Sequence, residues 1–394
     1  MKTIPDQNQV NYFDVGNCAQ LDTIADILGK GIPPRQVNPK IVITIPAHNE
    51  EELIGKCIES IAGQRTVYAR GIDWNDFEIL ILCHNCTDAT YETSIGMLSR
   101  FPDLKLSVLE TKSPEVNNVG AVRRVLMRIA SARIANGEGY IAMTDADSVA
   151  HPYWLANIFG YIGSEYGLIC GQIDIDTAGI PSNALRVLAL KKHYDTLWIS
   201  LKNTIVPDQS NPLPRHANNS GPNMAVRADV YENIGGIDPL GFCEDIAFYD
   251  KIVYAGYKVR HCPMTLMTTS GRTVPRAPWG FGAELSTWDG NKDSGLQVEG
   301  LEALLERLRI FKLMREYSLS NEQQDLWAAA RRSGIEKERL VDCILKFRND
   351  SALMLRLEKD LDSLESWRER YPKIEIQRAC QELENYLSLS SETF

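Results

Sequence analysis

The chain has 394 residues, of which 44% are hydrophobic and 24% are charged, and its formal net charge at pH 7 is -10. This composition predicts a packed globular protein, and the length predicts two domains or one large domain with an extension. The negative charge argues against a broad nucleic-acid-binding surface, because such surfaces are basic. No apolar run approaches the roughly 20 residues that span a bilayer. No apolar signal core follows residues 1–7, so we expect a cytoplasmic protein.

The nine cysteines are scattered along the chain, which indicates free thiols in a reducing compartment. The close pair lies in the segment Cys83-His84-Asn85-Cys86. Its spacing is that of a zinc knuckle, but no second Cys/His pair of matching spacing follows. A structural role for this pair is therefore favoured over a metal or redox role.

Short apolar runs alternate with helical patterns from residue 41 onward. Buried strands are predicted at 41–46, 77–82, 104–109 and 140–144. Helices are predicted at 53–61, 88–100 and 121–135, with Asn49 and Glu52 as a capping box for the first and Thr87 or Asp88 capping the second. This alternation predicts right-handed βαβ units and a parallel sheet.

Polar segments follow three of the predicted strands, at 46–50, 83–88 and 145–147. Ligands of parallel α/β sheets bind beyond the carboxyl ends of the strands. We therefore expect these three segments to form one site.

The third segment, Asp145-Ala146-Asp147, places two carboxylates at the end of a buried strand. Buried carboxylates need a neutralising partner, and Mg²⁺ or Mn²⁺ is the expected one because hard cations prefer oxygen ligands. Such metals commonly bind phosphates as well. The alternative is a turn in which Asp145 caps a helix that starts near His151, a task that needs only one carboxylate.

Glu, Leu, Arg and Lys dominate from residue 296 onward, with helical periodicity. Three apolar stripes are predicted: Leu301, Leu304, Leu305, Leu308 and Phe311; Val341, Ile344 and Leu345; and Leu353, Leu357, Leu361 and Leu364. We predict an N-terminal extension over 1–40, a main domain over 41–295 and a helical extension over 296–394. The stripes fit a core, with a homodimer through these helices as the alternative.

Six motifs, taken together and in order, resemble those of the inverting family 2 glycosyltransferases. They are Pro46-Ala47-His48-Asn49-Glu50, Asn85-Cys86-Thr87-Asp88, Asp145-Ala146-Asp147, the segment 220–227, Gly235-Gly236-Ile237-Asp238 and Glu244-Asp245. The resemblance covers about residues 41–275. It implies a GT-A fold, a Rossmann-like mixed, mainly parallel sheet flanked by helices, which binds a nucleoside-diphosphate-sugar.

The resemblance also implies roles for individual residues. Asp147 would bind the divalent metal, with Asp145 bridging that metal or lying near the ribose. Asp245 would be the base, and Glu244 would contact the acceptor or orient the base. The residues expected to line the nucleotide-sugar pocket are Pro46, Ala47, His48, Glu50, His84, Asn85, Asp88, Arg123, Asp145, Ala146, Asn223 and Arg272.

Some of these positions have a second interpretation. Glu50 and Asp88 fit helix stabilisation as well as donor binding. The family's acid at or beside His84 is absent, so His84 or Asn85 would bind the base of the nucleotide instead. Arg123 fits either a pyrophosphate contact or a solvated helix face. Arg272 lies in a Gly- and Pro-rich segment, 271–282, which we expect to be a mobile lid.

The resemblance is incomplete at the metal. The family often has a further histidine ligand after the Glu-Asp pair, but the segment 263–270 contains none and His261 lies too early, in a predicted strand. Water and phosphate would then complete the coordination, which Mg²⁺ tolerates.

Two other functions fit the sequence less well. A sugar-phosphate nucleotidyltransferase would need a Gly-rich phosphate loop after the first strand, where residues 46–50 have none. A degenerate fold used for binding, with the helical extension as the interaction module, is disfavoured by the presence of Asp145, Asp147 and Asp245. The sugar, the base and the acceptor (a saccharide, a small molecule or a lipid-linked acceptor at the membrane surface) are left open.

Overall fold

The computed structural model describes residues 18–34, 38–134, 137–272, 282, 285, 288, 296–347 and 349–391. The chain divides into two compact units. We call them the sheet unit, with the described residues between 18 and 177 and between 218 and 271, and the helical unit, with those between 178 and 217 and from 272 onward. The domain bounds predicted from the sequence stay a prediction.

The described part of the sheet unit contains an eight-stranded sheet. Its strands are β1 Ile41–Ala47, β2 Phe77–His84, β3 Leu106–Thr111, β4 Tyr140–Met143, β5 Ser148–Ala150, β6 Tyr166–Ile175, β7 Met224–Arg227 and β8 Lys258–Thr269. Their order in space is β3-β2-β1-β4-β7-β6-β8-β5. The first four of these are parallel, as are β6 and β8, whereas β7 is antiparallel to both neighbours and β5 is antiparallel to β8. The predicted mixed, mainly parallel sheet is confirmed.

Helices cover both faces of the sheet. In the sheet unit, the helices up to residue 254 are α1 Cys18–Lys30, α2 Ile54–Ala62, α3 Thr90–Arg100, α4 Val119–Arg133, α5 Trp154–Phe159, α7 Ala228–Asn233 and α8 Glu244–Tyr254. The helix α6 Ser182–Ile205 belongs to the helical unit. Alternate residues of β1 pack with α2 in one core, and the intervening residue Val42 is equally buried. Burial on both faces explains why the strands read as continuous apolar runs.

The predicted strands and helices of this unit are confirmed to within about two residues, which is the usual uncertainty of element ends. The predicted capping box before α2 is wrong. Leu53 occupies the N-cap position without a side-chain hydrogen bond. Asn49 has a φ of 54° and its side chain bonds to another loop, because the chain makes an extra turn before the helix begins.

The predicted C-terminal helical region is also confirmed. Its elements are β9 Gln297–Val298, α9 Leu301–Ser320, α10 Gln323–Ser333, α11 Lys337–Lys346, α12 Asp350–Ser363, α13 Glu365–Arg370, β10 Ile374–Glu375 and α14 Ile376–Ser391. The predicted stripe members Leu304, Leu308 and Phe311 are buried, whereas Leu345 is 65% exposed. Over the residues described, no helix has the length and apolar character needed to cross a membrane.

Candidate active site

Two loops are tied together at the carboxyl ends of β1 and β2. The Thr87 N–H donates to Asn49 Oδ1 at 2.8 Å, and the Ala89 N–H donates to Glu51 Oε2 at 2.9 Å. In return, the Glu51 N–H donates to Asp88 Oδ2 at 3.2 Å. We call residues 49–51 and 87–90 the loop clasp. It fixes the walls of the predicted nucleoside pocket relative to each other.

The predicted pocket residues of β1 and β2 come together beside this clasp. Pro46 and Ala47 form the end of β1, and Ala47 pairs with Cys83 of β2. His48 Nδ1 lies 2.8 Å from the His84 carbonyl oxygen, and the two imidazole rings are 5.0 Å apart. Burial, and then the charge of His48, lower the pKa of His84 to about 4, so its ring is neutral at pH 7.

Asn85 and Glu50 of this pocket each donate a hydrogen bond to another part of the protein. The Asn85 Nδ2 donates to the Val116 carbonyl at 3.2 Å, and its backbone adopts a φ of 49°. Glu50 is buried, and its N–H donates to Thr90 Oγ1 at 2.7 Å. By contrast, His84 Nδ1 is buried and has no hydrogen-bond partner among the described residues. A ligand group reaching that atom would satisfy it.

Asp88 acts at the start of α3. Its Oδ1 accepts from the Thr90 N–H at 3.1 Å and from the Thr90 hydroxyl at 2.5 Å. Burial opposes ionisation, but the hydrogen bonds from Thr90 and Glu51 outweigh it and lower the pKa of Asp88. The N-cap residue of α3 is Ala89, so the prediction that Thr87 or Asp88 is the cap is wrong, although Asp88 still accepts the N–H of Thr90, the first residue of the helix. Donor binding by Asp88 stays a prediction.

Arg123 lies buried on α4, a helix capped by the Asn118 side chain. Its Nη2 donates to Asp145 Oδ1 at 2.6 Å and its Nε to Glu244 Oε1 at 3.2 Å. Burial lowers the pKa of Arg123, but the nearby carboxylates of Asp145, Glu244 and Asp245 outweigh burial and raise it. The solvated-face interpretation of Arg123 is therefore wrong, because the side chain is only 3% exposed.

Gly221 connects this arginine to the predicted base. Its carbonyl accepts from Arg123 Nη1 at 3.5 Å, and its N–H donates to Asp245 Oδ2 at 2.7 Å. A Cβ at this position would lie 2.7 Å from Arg123 Nη2, so only glycine leaves room for the guanidinium. The sequence placed Gly221 in a motif segment but gave it no role.

Glu244 and Asp245 form the first turn of α8, after Cys243 in a left-handed conformation with φ 56°. Burial and the charge of Asp245 raise the pKa of Glu244 to about 8, against the opposing effect of Arg123. Asp245 is half-buried, and its Oδ1 also accepts from the Ile246 N–H at 2.8 Å.

The acidic triplet follows β4. Ala146 is buried, Asp145 and Asp147 are half-buried, and Asp147 Oδ1 accepts from the Thr269 hydroxyl at 3.3 Å. The buried Cys57 thiol donates to the Asp145 carbonyl at 3.5 Å. Burial, and then the charges of Asp147 and Asp145, raise the pKa of this thiol, which marks the negative potential here.

Arg123 neutralises Asp145 in this structure, and metal binding by Asp145 and Asp147 stays a prediction. Among the described residues, no group of three or more His, Cys, Asp or Glu side chains could hold a metal ion. His261 lies in a strand, β8, as the sequence predicted, and its side chain is buried. The two carboxylates still fit a Mg²⁺ or Mn²⁺ ion whose other ligands are water and phosphate oxygens.

Residues 42–235 match the family model described as "Glycosyl transferase family 2". This part of the chain is a family 2 glycosyltransferase domain. A relative named "Probable glycosyltransferase YdaM", from Bacillus subtilis (strain 168), is 23% identical over 232 residues. The match covers 58% of this chain and 50% of the relative, so the chain spans about half the length of that protein.

Two solved structures show similarity over most of the chain. One is the mannosyltransferase PcManGT from Pyrobaculum calidifontis in complex with GDP-Man and Mn²⁺, with 14% identity, a TM-score of 0.43 and coverage of 90% of this chain and 91% of that one. The other is S. aureus TarS 1-349 in complex with UDP-GlcNAc, with 16% identity, a TM-score of 0.43 and coverage of 84% and 92%. The family assignment rests on the family match.

The side chain of Asn223 is hydrogen-bonded to other residues of the sheet unit. Its Oδ1 accepts from Trp154 Nε1 at 2.8 Å, and its Nδ2 donates to the carbonyls of Gln172 and Thr265, each at 2.8 Å. Both amide hydrogens are thus used inside the protein, and the side chain is 2% exposed. A donor contact of Asn223 stays a prediction, and its hydrogen bonds favour a structural role.

Arg272 is half-buried. The predicted lid, 271–282, lies outside the described residues except for Gly271, Arg272 and Gly282. The lid and the phosphate contact of Arg272 therefore stay predictions.

Proposed function

We propose that this chain transfers a sugar from a nucleoside-diphosphate-sugar to an acceptor hydroxyl, with inversion at the anomeric carbon and with a divalent metal, Mn²⁺ or Mg²⁺. The supporting observation is the buried Arg123, which bonds both to Asp145 of the donor-side triplet and to Glu244 beside the predicted base. One cation thus joins the two halves of the proposed reaction in the sheet unit.

On the donor side, Asp145 and Asp147 would hold the metal. The bound ion would supply Lewis-acid stabilisation of the diphosphate leaving group. The positive charge of Arg123 at the same place favours the negative charge that develops on that group. Because Asp145 is already paired with Arg123, we expect donor and metal to bind with a redistribution of this ion pair.

The nucleoside would lie against the ends of β1 and β2, next to His48, Glu50, His84 and Asn85. His84 is neutral at pH 7, and its buried Nδ1 has no partner among the residues described. A neutral imidazole offers one donor and one acceptor, so it can bond to a base or a ribose hydroxyl.

On the acceptor side, Asp245 would take the proton of the attacking hydroxyl. Its two oxygens accept from the backbone N–H groups of Gly221 and Ile246, which orient the carboxylate. Burial and the charge of Asp245 raise the pKa of Glu244 to about 8, which favours a protonated Glu244 beside the predicted base. A single displacement assisted by one base inverts the anomeric carbon.

Thermal-shift screening of nucleoside diphosphates and their sugars, each with and without Mn²⁺, tests this proposal. We expect nucleotides with one particular nucleobase to raise the melting temperature in a Mn²⁺-dependent way. A ligand that binds only the folded state stabilises that state. No stabilisation by any nucleotide would refute the proposal. The cytoplasmic or peripheral location, the acceptor and the helix-mediated homodimer stay predictions.

A further inference from the structure

The Cys83–Cys86 pair lies beside the proposed nucleoside pocket and is not used by the proposed reaction. Cys83 ends the buried part of β2 and is fully buried, whereas Cys86 is half-buried in the loop that follows. The left-handed backbone of Asn85 turns the chain between them. Cys83 belongs to the apolar core cluster of the sheet unit, and the Cys86 side chain packs against the same cluster.

We propose that Cys83 and Cys86 form a reversible disulfide that disrupts the nucleotide pocket when low-molecular-weight disulfides accumulate. Its effect on the donor rests on the function proposed above. The sequence alone favoured a structural role, because no second Cys/His pair of matching spacing follows.

The two thiols differ in pKa and in accessibility. The hydrogen bond from Cys83 is the largest influence on Cys86 and lowers the pKa of its thiol, so Cys86 ionises more readily than Cys83. The same contact, together with burial, raises the pKa of Cys83. A reactive thiol needs both thiolate character and access, and Cys86 has both.

The exchange balances in two steps. The Cys86 thiolate attacks one sulfur of an external disulfide such as oxidised glutathione, which forms a mixed disulfide and releases one thiolate. Cys83 then gives up its proton to that thiolate and attacks the Cys86 sulfur, which expels the second thiol. The protein's two thiols are oxidised, and the external disulfide is reduced to two thiols.

Bond formation must move the loop that builds the pocket. Cys86 Sγ now donates to the Ala47 carbonyl at 3.5 Å, and a disulfide would bring it to about 2.05 Å from the Cys83 sulfur instead. His84 and Asn85 lie between the two cysteines, and Thr87 of the loop clasp follows at once. Oxidation would therefore displace predicted nucleoside contacts.

Intact-mass analysis of the whole chain after incubation with oxidised glutathione tests the chemistry without any activity assay. We expect loss of two hydrogens, reversal by dithiothreitol and, with Cys86→Ser, no loss. Cys18→Ser is the matched control because Cys18 is the other half-buried cysteine, and it should behave as the parent. A persistent mass loss in Cys86→Ser, or none in the parent, would overturn the proposal.

Calorimetry with the nucleotide found by thermal shift then measures the consequence. We expect the oxidised protein to bind about tenfold more weakly than the reduced protein, as displaced contacts imply. Equal nucleotide affinity of the oxidised and reduced proteins would overturn the proposal that the disulfide disrupts the pocket. If the reduced protein binds no nucleotide at all, the proposed transferase function fails instead, and the mass result stands independently. Cys83→Ala serves as a second variant if Cys86→Ser does not fold.

Discussion

Arg123 and Asp145 form a buried ion pair of 2.6 Å in which the arginine is 3% exposed and the aspartate 30%. A guanidinium so deeply buried is stable only while its carboxylate partners remain. The same arginine bonds to Glu244, so the donor-side triplet and the first turn of α8 share one cation. We therefore expect a substitution in the triplet to alter the first turn of α8 through Arg123, and a substitution in that turn to alter the triplet.

Replacing Arg123 by methionine should destabilise the protein by about 3–5 kcal/mol and abolish nucleotide binding, because the buried Glu244 and the half-buried Asp145 lose their common partner. Chemical denaturation and calorimetry measure the two effects. Arg128→Met is the matched control on the same helix, since that side chain is 41% exposed and its ion pairs lie at 3.7 and 3.8 Å. The control should cost at most about 1 kcal/mol. Equal effects of both substitutions would contradict the role of Arg123.

Gly221→Ala should displace the Arg123 guanidinium, because the added Cβ would lie 2.7 Å from its Nη2. We expect turnover to fall by about a hundredfold, since small displacements in an active site are costly. Gly96→Ala is the control: a Cβ there meets nothing within 4 Å. A fall in turnover of the same size in both variants would argue against a specific clash at Gly221.

Asp245→Asn should leave donor binding intact and reduce turnover by about 10²–10⁴-fold, which is the typical contribution of a general base. The amide can still accept from the Gly221 N–H, which Asp245 Oδ2 now contacts at 2.7 Å. Binding is measured by calorimetry and turnover by release of the nucleoside diphosphate. Loss of binding together with turnover would show that the residue is structural.

The protonation of Glu244 predicts a pH dependence of stability. Burial and the charge of Asp245 raise the pKa of Glu244 from 4.5 to about 8; Asp145 also raises it, and Arg123 opposes the shift. Between pH 4.5 and about 8, the folded protein therefore binds more protons than the unfolded chain. This contribution is fully present below pH 4.5 and is lost as pH rises through about 8. Melting temperatures from pH 5 to pH 9 should fall more steeply for the parent than for Glu244→Gln. Parallel curves would exclude a raised pKa.

The sequence predicted the sheet better than the site. A strand that is buried on both faces of the sheet, such as 77–82, is a nearly continuous run of apolar residues. Such a run can be recognised from the local sequence alone. The partners of Arg123 are 22 and 121 residues away in the chain, so no local pattern could distinguish a buried ion pair from a solvated face. Asn49 was mistaken for a helix cap for the same reason, since its partner, Thr87, lies on another loop.

Calorimetry of nucleoside diphosphates with and without Mn²⁺, on the parent protein and on Asp147→Ala, tests the proposed transferase site most directly. Asp147 is half-buried, and Thr269 donates a hydrogen bond to it at 3.3 Å. The proposed function predicts Mn²⁺-dependent binding of one nucleotide to the parent and loss of that metal dependence in Asp147→Ala. Unchanged metal-dependent binding in the variant, or no binding to the parent, would contradict it.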